Sequence, residues 1–241
     1  MAPLSGRRAV VTGATGAIGQ VIADRLVKAG ATVLLLSRRQ NALEQLVVDR
    51  GWQRSAVDCR AVDLSSEDQV HDFAAAMQRI GEPLHVLVHA AGAIALGAID
   101  KTPVSAFDRQ YAVNVRAPYQ LTQALLPLLI AGSGDVVFIN SNAGMHSRPN
   151  AAQYAATKYA LRAFADTLRD EVNDRGVRVL SVYLGRTASD MQRDVYQREG
   201  RVYAPEKLLQ PSEVATMIVT ALLLPRTAEV TDLHVRNMIK H

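Results

Sequence analysis

Cysteine is almost missing from this 241-residue chain. The single Cys59 has no partner for an internal disulfide, so no oxidised framework can hold the fold. Cys59 falls within an expected strand and reads as a small core residue. Long apolar runs are missing too: Arg or Asp interrupts each before it could cross a bilayer. The opening Met1-Ala2-Pro3-Leu4-Ser5-Gly6-Arg7-Arg8 has no apolar stretch of the secretion-signal kind. Together these absences predict a cytoplasmic protein that does not enter membranes. Neither a charge run, a repeat nor a low-complexity tract is present, which argues against a disordered chain or a solenoid. The charge excess is small, 27 Lys and Arg against 23 Asp and Glu, and it is scattered. Nucleic acid is therefore not an expected partner, and no metal site is expected. Lysine is scarce, at Lys28, Lys101, Lys158, Lys207 and Lys240, so a functionally placed lysine stands out.

What is present is apolar sequence, 49% of the chain and evenly spread, enough for one α/β domain over residues 1–241. Strand-like runs occur at Ala9–Val11, Thr32–Leu36, Val57–Val62, Leu84–His89, Asp135–Asn140, Val177–Leu184 and Glu229–Val235. Helical periods lie at 18–29, 39–50, 66–80, 105–131, 151–175 and 211–224. Apolar strands alternating with helices predict a doubly wound, Rossmann-like parallel sheet of about seven strands, helices on both faces. Residues 185–210 lack a clean period. They read as a surface connection or, preferably, as a lid over a substrate at about 186–210.

Ligands of such sheets sit outside the carboxyl ends of the strands, so the residues following each strand matter most. After the first comes Thr12-Gly13-Ala14-Thr15-Gly16-Ala17-Ile18-Gly19, opening a helix. Glycines there let the backbone approach a pyrophosphate, and the helix N-terminus offers free N–H groups. Gly13, Thr15, Gly16, Ile18 and Gly19 are thus candidate dinucleotide contacts, although such a turn can also be an ordinary tight connection. The second strand ends at Ser37-Arg38-Arg39. An acidic residue there would bond a ribose 2′-hydroxyl; Arg38 and Arg39 suit a 2′-phosphate instead, which predicts NADP(H) over NAD(H). The alternative is a solvated helix start. Asp63 and Leu64, after the third strand, could border an adenine, or Asp63 could cap the next helix. Ala90, Ala91 and Gly92 leave the fourth strand and are small enough for a cofactor to lie against.

Tyr154-Ala155-Ala156-Thr157-Lys158 lies within a helical pattern, and the i,i+4 spacing sets Tyr154 and Lys158 on one face. A free phenol, with a pKa near ~10, holds its proton at neutral pH. A nearby ammonium and an oxidised nicotinamide favour the phenolate. Tyrosine can then act as general acid on a ketone or general base on an alcohol. Alone the pair could be a surface feature. Ser141, directly following the fifth strand and at the sheet edge that carries the glycine turn, could hold the carbonyl oxygen or could be a turn cap.

In this order the motifs resemble the short-chain dehydrogenase/reductase family in its compact single-domain form, over essentially the whole chain. The resemblance implies a catalytic set of Asn114, Ser141, Tyr154 and Lys158. It implies that Lys158 also bonds the nicotinamide ribose, that Asn114 holds a water in a proton relay, and that Thr187 contacts the carboxamide. Three departures stand out. Ala17 replaces the usual glycine, His89 replaces the usual asparagine before Ala90-Ala91-Gly92, and Leu184 replaces the proline before Gly185, which is expected to loosen that turn. His89 reads as structural rather than acid/base. A homodimer on the 105–131 and 151–175 helices and a homotetramer are both open.

The expected substrate is a small carbonyl or alcohol compound. Its pocket is expected near Ala93–Leu96, Met145–Arg148, Tyr183 and the 186–206 loop. Met145, Met191, Tyr196 and Tyr203 point to an apolar substrate, while His146 and Arg148 point to a polar or anionic one. Two other readings remain: a catalytically idle nucleotide-binding sensor or regulatory subunit, and chemistry on a nucleotide sugar, which the glycine spacing suggests.

Overall fold

Apolar residues alternate from face to face of a fully parallel sheet, and both faces are covered by helices. The computed structural model describes residues 2–238. The strands are β1 (Arg8–Thr12), β2 (Thr32–Ser37), β3 (Val57–Ala61), β4 (Val86–His89), β5 (Asp135–Ser141), β6 (Arg178–Leu184) and β7 (Asp232–Val235). The helices are α1 (Ala17–Lys28), α2 (Gln40–Asp49), α3 (Glu67–Ile80), α4 (Val104–Tyr111), α5 (Ala117–Ala131), α6 (Ala152–Val172), α7 (Asp190–Arg198) and α8 (Pro211–Leu222). Strand order is β3-β2-β1-β4-β5-β6-β7, all parallel, so the order reverses between β1 and β4. That reversal opens a crevice at the carboxyl ends, the place where this architecture takes ligands.

Pleating divides the core in two. Val11, Val33, Leu35, Val86, Val88 and Val182 face α1, α2 and α8. Val10, Leu36, Leu87, Val136, Phe138 and Val179 face α3, α5 and α6. Because each strand of a doubly wound sheet buries both faces, continuous apolar runs such as Asp135–Asn140 were readable as strands.

Two segments depart from the expectation. The 105–131 helix is not one α-helix: α4 and α5 are joined by a π-helical turn at Ala112–Arg116, where the Ala117 N–H donates to the Ala112 carbonyl. The residue four after Asn114 is Pro118, which has no N–H to offer the Asn114 carbonyl, so one rung of the α-ladder cannot form. The aperiodic 185–210 segment contains α7, whose N-cap Ser189 accepts from the Gln192 N–H, and a short 3-10 turn at Pro205–Lys207. Its period was masked by six polar or charged residues among the nine of α7. Among the described residues, no helix is long and apolar enough to cross a membrane.

Candidate active site

The glycine turn packs tightly against the β4 exit. Gly13 has φ +63°, and a Cβ there would lie 2.7 Å from the Ala91 backbone. Thr12 fixes the same junction, its Oγ1 accepting from the Ala90 and Ala91 N–H groups at 3.1 and 3.2 Å. At Gly19 a Cβ would stand 2.3 Å from the Gly13 carbonyl oxygen, whereas at Gly16 it would meet that oxygen at 3.2 Å. Gly13 and Gly19 therefore hold the turn closed. Gly16 is exposed and leads into α1, which has no acidic residue in its first turn and no side chain capping its amides. An uncapped helix start of that kind fits a diphosphate, and Thr15 beside it bonds the Ser37 hydroxyl at 2.9 Å. Ile18 lies in the first turn of α1 and packs against the core.

At the β2 end Arg38 and Arg39 are exposed, and neither side chain makes a hydrogen bond or ion pair among the described residues. Arg39 stands at the N-cap position of α2 without capping it and borders an open hollow of about 490 Å³ with Gln40, Asn41 and Ala42. Asp63 does not cap α3; Ser66 does. Asp63 Oδ1 instead accepts from the Ser65 N–H at 2.9 Å and the Ser65 hydroxyl at 2.7 Å. Those bonds, with Arg38 and Arg109 nearby, hold its carboxyl below the usual range although partial burial opposes them. Leu64 is buried in the core. Ala90 and Ala91 are half-buried, and Gly92 is exposed.

Helix α6 brings the acid/base residues to this edge with two interleaved i,i+4 pairs. Lys158 is buried, and its Nζ donates to the Ile139 carbonyl at 2.9 Å, 5.9 Å from the centroid of the Tyr154 ring. Asn140 Nδ2 donates to the Lys158 carbonyl, and a Cβ on Gly144 would stand 2.8 Å from it, so α6 docks directly on the β5 exit. The other pair, Gln153 and Thr157, faces the loop after β4. Gln153 Nε2 donates to the Ala95 carbonyl at 2.8 Å, and Thr157 Oγ1 accepts from Asn114 Nδ2 at 3.0 Å. Asn114 also binds Ala93 through both its N–H and its carbonyl, and Gln110 Oε1 accepts from the Ala95 N–H. Gln110, Gln153, Thr157 and Thr12 were missed from sequence. The signal was available, since Gln110 precedes Asn114 by one turn and Gln153 precedes Thr157 by one turn.

Ser141 is the last residue of β5 rather than the first beyond it. Its Oγ accepts from the Ala143 N–H at 3.1 Å, leaving its own proton free to donate. Burial pushes the Tyr154 phenol up, against the neighbouring Ser141 hydroxyl, which pulls it down. The depressed pKa expected from Lys158 is thus not present in the protein alone. Burial also draws the Lys158 ammonium down to about 8, which leaves it a cation at neutral pH with a smaller margin. His89 is buried, 2.9 Å from Thr122 Oγ1 and stacked on Phe138, and burial pulls it down to about 3. It is a neutral structural group.

Thr187 is buried, its Oγ1 donating to the Gly185 carbonyl at 3.2 Å. The turn that carries it is not loosened by Leu184. The Gly185 N–H donates to the Val235 carbonyl at 2.8 Å, and Ala188 and Arg186 pair with Leu209. Tyr183 cannot line a pocket from its place in β6: it is 1% exposed and stacked on His234.

A family model for short chain dehydrogenases matches residues 7–200. An uncharacterised short-chain type dehydrogenase/reductase of Sinorhizobium fredii is 32% identical over 94% of this chain and 90% of its own length. The glycine betaine reductase ATRR of Emericella nidulans is equally identical over 96% of this chain, which spans only 19% of that protein. Among solved structures, a metagenomic short-chain oxidoreductase in complex with NADP superposes with a TM-score of 0.83 at 28% identity, covering 99% of this chain and all of that one. An alcohol dehydrogenase from Thermococcus sibiricus complexed with 5-hydroxy-NADP gives 0.85 at 25% identity, covering 98% of both chains.

Proposed function

This chain belongs to the short-chain dehydrogenase family, and its oxidoreductases act on CH–OH and C=O groups; we propose that it is an NADP(H)-dependent enzyme reducing a ketone or aldehyde with Tyr154 as proton donor. The observation that carries this reading is the cluster at the β5 edge: Ser141 with a free hydroxyl proton, Tyr154 beside it, and the Lys158 ammonium held beneath by Ile139. When bound, the nicotinamide supplies or takes up the hydride. Gly13, Thr15, Gly16, Ile18 and Gly19 would hold the dinucleotide, together with Asp63, Leu64, Ala90, Ala91, Gly92 and Thr187. Arg38 and Arg39 would hold the 2′-phosphate.

Ser141 donates to the carbonyl oxygen, and Tyr154 delivers its proton to the same atom as charge develops there. A phenol raised by burial is protonated at neutral pH, which suits the reductive direction. Lys158 supports the phenolate left behind. Asn114, whose carbonyl lacks its i+4 donor at Pro118, is positioned to hold a water that returns the proton from solvent. Half-exposed aromatics on α4, α5 and α6 (Phe107, Tyr111, Tyr119 and Tyr159) support a homodimer or homotetramer through those helices. A cytoplasmic location is part of the same reading, and the single Cys59 is buried. A panel of ketones, diketones and aldehydes with NADPH, followed at the nicotinamide absorbance, tests the activity. Turnover of at least one class is expected; none across the panel would favour a nucleotide-binding sensor.

A further inference from the structure

The two expected pocket walls are joined by a cluster of arginines around one carboxylate. Glu199, at the end of α7, accepts from Arg186 Nη2 at 2.8 Å and from Arg148 Nη1 at 2.7 Å, with Arg201 Nη1 3.7 Å away. Arg148 belongs to the loop after Ser141; Arg186 and Arg201 flank α7. Three guanidinium groups on one carboxylate leave a surplus of positive charge. One group is also short of acceptors: Arg186 Nη1 is buried with no hydrogen-bond partner among the described residues. A native interior rarely leaves such a donor unmatched.

The aromatic residues that pointed to an apolar substrate are engaged elsewhere. Tyr196 is buried, with the Arg186 and Arg201 guanidinium groups over its ring at 4.7 and 5.3 Å, and Tyr203 OH both accepts from and donates to the Ser189 backbone. They stiffen the lid and steady the arginines over it. A cavity of about 360 Å³ adjoins the cluster, with Arg201 and Lys207 beside Val202 and Leu208.

Arg186 is within reach of the chemistry. Leu184 is the register partner of Ser141, and adjacent strands are about 4.8 Å apart. Two further residues at about 3.8 Å each place the Arg186 Cα no more than roughly 12 Å from that of Ser141. That separation is within the span of an arginine side chain and a substrate several bonds long.

We propose that Arg186, with Arg148 and Arg201, selects carbonyl substrates bearing a carboxylate or phosphate a few bonds from the carbonyl. This rests on the oxidoreductase reading. The test compares acetoacetate, 4-oxopentanoate and 5-oxohexanoate with their methyl esters, and dihydroxyacetone phosphate with dihydroxyacetone, all with NADPH. At least one acid or phosphate should show a KM tenfold or more below its neutral partner, and the two arms tell carboxylate from phosphate. Arg186→Met should raise that KM tenfold or more while changing the KM values for the neutral partner and for NADPH less than twofold. Arg148→Met, at a more exposed residue, should act in the same direction. Equal preference, or equal losses for charged and neutral partners, would overturn the proposal and leave the oxidoreductase reading standing. If no compound turned over, the activity would be in doubt. Calorimetric titration of the same pairs into NADP-loaded wild-type and Arg186→Met protein would still decide the anion site, with equal binding of the two partners ruling it out.

Discussion

Asn114 and Thr157 are hydrogen-bonded side chain to side chain at 3.0 Å, both buried. The bond ties the π-helical turn to the helix turn that carries Tyr154 and Lys158. Asn114→Ala also strands the Ala93 N–H and carbonyl. It should cost roughly 2–3 kcal/mol in urea unfolding and lower kcat, because the loop after β4 and α6 lose their common anchor. An unchanged unfolding midpoint would remove this anchor.

Tyr154→Phe keeps the ring and removes the phenolic proton. Turnover should fall by about 10²–10⁴-fold while NADPH affinity, read by fluorescence titration, stays within about threefold. Activity near that of the wild type would assign the proton to another group.

Arg38 is exposed, and its side chain makes no hydrogen bond or ion pair among the described residues, so its replacement should report on the cofactor rather than on folding. Arg38→Ala is expected to weaken NADPH binding by roughly 10–100-fold and leave NADH nearly unchanged. Tighter binding of NADH than NADPH by the wild type would refute the 2′-phosphate assignment outright.

The three glycines of the turn should not be equivalent. Gly13→Ala forces a side chain into the left-handed region and against Ala91, and Gly19→Ala drives one into the Gly13 carbonyl. Each should lower stability by about 1–3 kcal/mol and abolish dinucleotide binding. Gly16→Ala meets a contact of 3.2 Å that a small shift relieves, so thermal unfolding should change little.

His89 predicts an acid-sensitive fold. Its folded-state pKa of about 3 lies below the ordinary histidine value of 6.5, so the unfolded chain takes up the proton first as pH falls. Stability from this group is complete above pH 6.5 and is lost progressively down to about pH 3. Between pH 7 and 4.5 the loss should reach roughly 2–3 kcal/mol, and His89→Asn should lack that part of it. Parallel pH profiles for the two proteins would show that His89 is not the group responsible.

Asn114 entered only through the family resemblance, whereas the seven strands, the glycine turn and the shared helix face of Tyr154 and Lys158 were readable from the chain. They follow from local rules: fully buried strands are continuously apolar, and i,i+4 residues share a helix face. Helix α7 was not readable, because its period is weak in a segment of mostly polar residues and its order comes from Ser189, Tyr203 and the Glu199 ion pairs.

The sequence by itself determined that the glycine turn, Ser141, Tyr154 and Lys158 come to the carboxyl edge of the sheet, since strand pattern sets the first two and helical spacing the others. Protonation was decided only in three dimensions. Lys158 pairs with Tyr154 by spacing, but burial beneath Ile139 pulls its ammonium down and pushes the phenol up, and desolvation depends on every neighbouring element. The arginine cluster is likewise tertiary. Arg148 and Glu199 are fifty-one residues apart, and only the packing of the α7 segment against the loop after β5 brings them together.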